Sequence, residues 1–159
     1  MINYCKNVTI DHSLQNILKL ILDVESYPEF IPHIKSCKII SQTESEMTVE
    51  TTIYITFFEH LYVSRIVYQI SDLEAKITIN SSDQIFKSLI SEWKFVTIDR
   101  FTTNIHFNIN IDLHSNLLSK MLQHAIINLG DKIFFIFKNR ADIIYNNHDK
   151  SIESRISNK

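Results

Sequence analysis

"NIHFNINIDLHSNLLSKMLQHAIINLGDKIFFIFKNRADIIY", residues 104–145, changes its hydrophobic period partway along, and that change sets the architecture. At first Ile105, Phe107, Ile109, Ile111 and Leu113 alternate with His106, Asn108, Asn110, Asp112 and His114, the period of a strand with one buried face. From Ser115 to Tyr145 there is no proline, and Leu122, Ile126, Leu129, Ile133, Phe137, Ala141 and Ile144 follow steps of four, three, four, four, four and three. That spacing predicts one helix of close to thirty residues, about 45 Å long at a rise of about 1.5 Å per residue, enough to cross a whole sheet. Its lone Gly130 costs up to about 1 kcal/mol relative to alanine and allows a close approach or a bend there.

The strand period recurs upstream. "MTVETTIYITF" puts Met47, Val49, Thr51, Ile53, Ile55 and Phe57 on one face and Thr48, Glu50, Thr52, Tyr54 and Thr56 on the other. Tyr62, Ser64, Ile66, Tyr68 and Ile70 repeat it, as do Ala75, Ile77 and Ile79, and Leu89, Ser91, Trp93, Phe95 and Thr97. The links "SQTESE", "SDLE", "NSSDQ" and "IDRFTT" are too short for parallel crossovers, so the strands are expected to pair as an antiparallel meander. One face of that sheet is apolar, and the long helix is the layer available to cover it.

At the N-terminus "NYCKNVTI" reads as a first strand. Ser13 then caps an amphipathic helix carrying Leu14, Ile17, Leu18, Ile21 and Leu22. "VESYPEFIP", residues 24–32, holds both prolines of the chain. Pro28 stops the arriving helix and Pro32 whatever follows, leaving room for about one turn with Pro28 at its first position and Phe30 and Ile31 to bury.

The chain has 159 residues with 45% hydrophobic content, which fits one domain, residues 1–146, followed by a polar and frayed tail, residues 147–159. Sixteen basic against eighteen acidic residues give a net charge of −2, with no general attraction for nucleic acid or anionic lipid, so no DNA partner is expected. Cys5 and Cys37 form no C-x-x-C pair, and the seven histidines make no metal-ligand spacing, so neither a zinc nor a redox site is indicated. G-x-S-x-G, a glycine-rich phosphate loop and a Cys with a nearby His are all missing, which points to a non-enzyme. Without a leader-like or membrane-spanning apolar run, a cytoplasmic protein is expected.

The order strand, helix, short helix, six strands, long helix is an α+β helix-grip arrangement of about seven antiparallel strands wrapped round the C-terminal helix. Three segments resemble the Coq10/RatA branch of the START-like, or polyketide-cyclase-like, proteins. "DVESYPEFIPHIKSCKII" is similar to that family's D-V-x-x-Y-P-x-F-[LI]-P, "FKSLISEWKF" to its F-K-x-L-x-G-x-W-x-F and "FKNRADIIY" to its F-x-x-R-A-x-x-x-Y, in the same order over roughly residues 1–145. The chain departs from the pattern at Gln84 and Ile85, which replace a Gly-Pro, at Ser91, which replaces a Gly, and at His33, which replaces a bulky aromatic.

The resemblance implies a cavity between sheet and helix that holds an apolar ligand, ubiquinone or a related isoprenoid lipid, without a resident cofactor. It also implies delivery through transient contact with the inner membrane. A RatA-type toxin acting on ribosomal subunit association is the alternative it brings. Tyr27, Phe30 and Ile31 are then expected at the cavity mouth, and Tyr54, Phe57, Trp93, Phe95, Phe107, Leu129, Ile133 and Phe137 along its wall. The same aromatic and aliphatic residues would equally furnish a dry core. Arg65 and Arg140 match recurrent family arginines, and each is expected as an ion-pair partner rather than a headgroup clamp.

Overall fold

The computed structural model describes residues 1–55 and 57–146. Seven strands form one sheet: β1 (Ile2–Ile10), β2 (Ile34–Gln42), β3 (Glu46–Ile55), β4 (Phe58–Ile70), β5 (Glu74–Ser81), β6 (Phe86–Asp99) and β7 (Thr102–Leu113). Their order is β1-β7-β6-β5-β4-β3-β2 and every neighbouring pair is antiparallel. Thus β2 to β7 meander, and β1 pairs with the last strand from the far side. Helix α1 (Leu14–Leu22) and a 3-10 turn (Val24–Glu29) follow β1, and the long helix α2 (Asn116–Ala141) closes the chain with a π-type turn at Asp142–Asn146. This is the helix-grip α+β fold expected from the sequence. The tail, residues 147–159, lies outside the described residues.

A chain with a single glycine needs another way to turn, and short polar side chains supply it. Before β3 the Thr43 hydroxyl accepts the Glu46 amide at 3.2 Å, and before β5 Ser71 does the same for Glu74 at 3.2 Å. Ahead of β6, Asp83 Oδ1 accepts the amides of Ile85 and Phe86, both at 2.7 Å, and Asp99 takes the Phe101 amide at 2.8 Å ahead of β7. These side chains satisfy the amides that the turns leave without a ladder partner.

Helix α1 begins where expected, with the Ser13 hydroxyl accepting the Asn16 amide at 3.3 Å. Between the prolines the outcome differs from the expectation. The turn runs from Val24 to Glu29 and contains Pro28, instead of starting at it. Helix α1 has already ended at Leu22, and the turn closes through Ser26 N–H to Asp23 O and Phe30 N–H to Tyr27 O, both 3.2 Å, neither of which needs the missing Pro28 amide hydrogen. After Pro32 the chain reverses at His33, whose φ of 69° lies in the left-handed region.

Helix α2 is unbroken, capped by Ser115, whose hydroxyl accepts the Leu118 amide at 3.2 Å. Its fully buried positions are Gly130, Phe134, Phe137 and Ala141, while Leu122, Ile126, Leu129 and Ile133 of the expected stripe are half-buried. Of the two features the lone glycine allows, Gly130 shows the close approach. A Cβ placed there would come within 2.7 to 2.9 Å of the Tyr4 ring on β1. Tyr4 also donates its hydroxyl to Asp131 Oδ1 at 2.9 Å, and burial together with that carboxylate pushes its pKa up to about 12.

Candidate functional site

The space between helix and sheet has two ends of different character. One is a closed aromatic layer. Trp93 on β6 faces its cross-strand partner Phe107 at a ring distance of 4.3 Å, stacks on Phe95 at 6.1 Å and meets Phe134 and Phe137 of α2 at 5.8 and 6.2 Å. Tyr27, Phe30 and Phe137 form a triangle of edge-on rings 5.6 to 5.8 Å apart, which attaches the proline segment to the helix. Phe95 is 0% exposed and Trp93 7%, and Ile31 is buried beneath the segment. Tyr27 donates its hydroxyl to the Ile21 carbonyl at 2.5 Å, and burial raises its pKa far above the ordinary phenol value.

Tyr27, Phe30, Ile31, Trp93, Phe95, Phe107 and Phe137 thus come together, although as a packed layer. Leu129 and Ile133 are half-buried on α2. Two expected lining residues lie elsewhere: Tyr54 is 50% exposed and Phe57 91% exposed. Tyr54 is even-numbered on β3, whose odd positions Met47, Val49 and Thr51 point inward, so it lies on the outer face with the Lys35 ammonium 5.9 Å from its ring centroid. Phe57 lies two positions past Ile55, the last residue of β3, in the turn, where strand alternation no longer dictates direction.

The other end is aliphatic and half-open. Ile2, Phe86, Leu89, Ile111 and Leu113 form a buried floor, and Ile53, Tyr62, Leu118, Leu122 and Ile126 pack on it while remaining only partly buried. In a closed core such inward-facing residues would be sealed. Here they form a wall open to solvent, with Phe58, Leu117 and Met121 exposed at this end. Tyr62 has its pKa pushed up to about 12 by burial, with Cys37 adding to the rise and the Thr51 hydroxyl opposing it. An ionisable pair lies at this end: His60, whose Nε2 lies 2.7 Å from Asp83 Oδ2 and whose ring rests against Tyr62 and Phe86 at 6.2 and 5.6 Å.

His60, Asp83, Phe86 and Phe134 were not singled out from the sequence. Phe134 was legible as the 130-134-137-141 stripe, with steps of four, three and four. His60 was legible by extending the inward alternation of β4 back from Tyr62. The two family arginines serve as ion-pair partners. Arg65 pairs with Glu46, and Arg140 reaches Glu29 at 2.5 Å with its guanidinium 5.1 Å from the Phe30 ring centroid. Two further concavities lie outside the helix–sheet interior. One, of about 520 Å³, is on the outer sheet face and lined by Lys76, Glu92, Lys94 and His106; the other, of about 450 Å³, lies beside His12, Thr97 and Tyr145.

The carboxylates that tie segments together carry a pH dependence. For Asp83, burial raises the pKa, but the amides of Phe86 and Ile85 and the His60 ring outweigh it and hold the group below its ordinary value. Lys138, at 2.7 Å, is the main cause holding Asp142 down; burial opposes it and His12, at 2.6 Å, assists. A depressed folded pKa contributes stability that is complete above the unfolded carboxyl value of about 4 and is lost as pH falls through the folded value. Melting temperature followed from neutral pH to about pH 3 is expected to fall along an acid limb. Asp83→Asn and Asp142→Asn should each lower the neutral value and flatten that limb.

The comparisons agree with this geometry. Residues 10–131 match the family described as polyketide cyclase / dehydrase and lipid transport. The ribosome association toxin RatA of Rickettsia prowazekii (strain Madrid E) is 26% identical over 145 residues, covering 89% of this chain and 97% of that protein. Among solved structures, the Zhui aromatase/cyclase of Streptomyces sp. R1128 superimposes with a TM-score of 0.77 at 13% identity, over 88% of this chain and 93% of the other. A STAR-related lipid transfer protein from Xanthomonas axonopodis gives a TM-score of 0.75 at 8% identity, covering 87% of this chain and 85% of that one. The fold therefore serves both lipid transfer proteins and cyclases. With the family model spanning most of the chain and the helix-grip architecture in place, the protein belongs to the polyketide cyclase / dehydrase and lipid transport family, in its START-like RatA/Coq10 branch.

Proposed function

We propose that the protein binds an apolar lipid, ubiquinone or a related isoprenoid, at the half-open end of its interior and carries it without chemical conversion. The observation that carries this reading is the contrast between the two ends. The aromatic layer is filled by its own side chains, whereas Ile53, Leu118, Leu122 and Ile126 line an aliphatic wall left only partly covered. Apolar area left in contact with water costs about 25 cal/mol per Å², which an isoprenoid tail laid along that wall would relieve. Delivery is proposed to occur by surface contact with the inner membrane, through the exposed Phe57, Phe58, Leu117 and Met121. No helix among the described residues is long and apolar enough to cross a membrane.

Mass spectrometry of an organic extract of protein purified from its own host tests the reading. A stoichiometric isoprenoid quinone or lipid is the expected result, and repeated lipid-free extracts would overturn it. Ile126→Trp supplies the internal control. Its indole should occupy the wall, abolishing lipid recovery while changing the melting temperature little, because the position is half-open.

A second reading has one observation in its favour, the ribosome association named for the Rickettsia relative. It predicts that the protein co-sediments with ribosomal subunits in a salt-sensitive manner. The net charge of −2 supplies no general attraction for RNA, so such binding would rest on a local patch. Salt-sensitive co-sedimentation together with lipid-free extracts would put this reading first.

A further inference from the structure

The half-open end holds an ionisable pair that the apolar-ligand reading does not use. His60 stands on the inward side of β4, with Tyr62 and Phe86 against its ring. Asp83, in the turn before β6, is fully engaged: Oδ1 accepts two backbone amides at 2.7 Å, and Oδ2 lies 2.7 Å from His60 Nε2. Those donors keep the carboxyl ionised, and an ionised carboxylate can only accept. Nε2 therefore carries a hydrogen toward Asp83, and in the neutral form of the ring, the form the proposal takes, Nδ1 is a lone-pair acceptor. Among the described residues Nδ1 has no hydrogen-bond partner.

We propose that His60, oriented by Asp83, is the polar anchor of this end and selects a ligand whose apolar body carries a hydroxyl head, so that an isoprenoid hydroquinone is held in preference to its quinone. The inference rests on the apolar-ligand reading above and adds the head that the site takes. A hydroquinone O–H donates to Nδ1. A quinone carbonyl sets one lone pair against another and leaves two acceptors unpaired in an apolar surround. A phosphate or carboxylate head fits less well still. It would bring negative charge up to Asp83, while lysines of the adjoining segments are engaged on the outer side, Lys35 with Glu59 at 2.6 Å and Lys87 with Asp112 at 3.4 Å.

Calorimetric titration under argon, with a short-chain ubiquinone and separately with its chemically reduced hydroquinone, provides the test. The wild type is expected to bind the hydroquinone about tenfold more tightly. His60→Phe should bind both forms alike. Asp83→Asn keeps an oxygen for the amides of Ile85 and Phe86 but presents an N–H to Nε2, which moves the ring hydrogen to Nδ1. The preference should then fall to parity or reverse toward the quinone, a result that loss of packing alone would not produce. Equal binding of the two forms by the wild type, or an unchanged ratio in Asp83→Asn, overturns the anchor while leaving the apolar site standing. Failure of the wild type to bind either form overturns both. If His60→Phe does not fold, by circular dichroism, the ratio in Asp83→Asn decides.

Discussion

Phe95→Ala is expected to lower stability by about 3–5 kcal/mol, with a fall in melting temperature of about 10 °C. Phe95 is 0% exposed, stacked on Trp93 and paired across the sheet with Ile105 and Ala75. Ala75 is too small to fill the space a lost ring leaves, and the backbone of central strands cannot close over it, so the cavity term adds to the transfer term. Chemical denaturation checks the result. A loss below about 1 kcal/mol would mean that the aromatic layer is loosely packed, and would reopen it as part of a ligand cavity.

Gly130→Leu is expected to cost about 2 kcal/mol despite its better helix propensity, which on its own would favour the variant by up to about 1 kcal/mol. The new Cβ alone would lie 2.7 Å from the Tyr4 ring. Tyr4 cannot swing aside freely, because its ring packs on Phe107 at 6.1 Å and its hydroxyl is bonded to Asp131. Displacing it would break both contacts and lift α2 from β1. A double-mutant cycle gives the decisive measurement. Tyr4→Ala should cost stability in the wild type and recover part of the loss in Gly130→Leu, with a coupling of about 1 kcal/mol or more. Additive effects would show that the close approach does not constrain the helix.

The sheet was legible because its two faces differ. Where one face packs on a core and the other meets water, period two is written into every strand, and "NIHFNINIDLH" states it without interruption. The positions where alternation misled are those where a strand ends. Phe57 carries the inward parity of β3 but lies in the turn beyond Ile55, where it is 91% exposed. Tyr54 has the outward parity, and only the expectation of an aromatic cavity brought it inside. The 3-10 turn before Pro28 was hidden for another reason: proline reports where an amide hydrogen is missing, not which of several short turns avoids needing it.

Local periodicity was enough to give the order of elements, the antiparallel meander and the single long C-terminal helix, because each is written in the spacing of neighbouring residues; that Gly130 marks a close approach and not a bend depends on Tyr4 of β1. Which half of the interior is closed is set by packing between elements. The aromatic residues that suggested a pocket pack against one another through pairs such as Trp93 with Phe107 and Phe30 with Phe137, whereas the half-open wall is made of unremarkable isoleucines and leucines. The His60–Asp83 pair likewise joins residues 23 positions apart on β4 and in a turn, a juxtaposition created by strand register. Periodicity tells which way a side chain faces. What it meets there depends on the summed volumes of residues from several elements, and that sum exists only once the chain is folded.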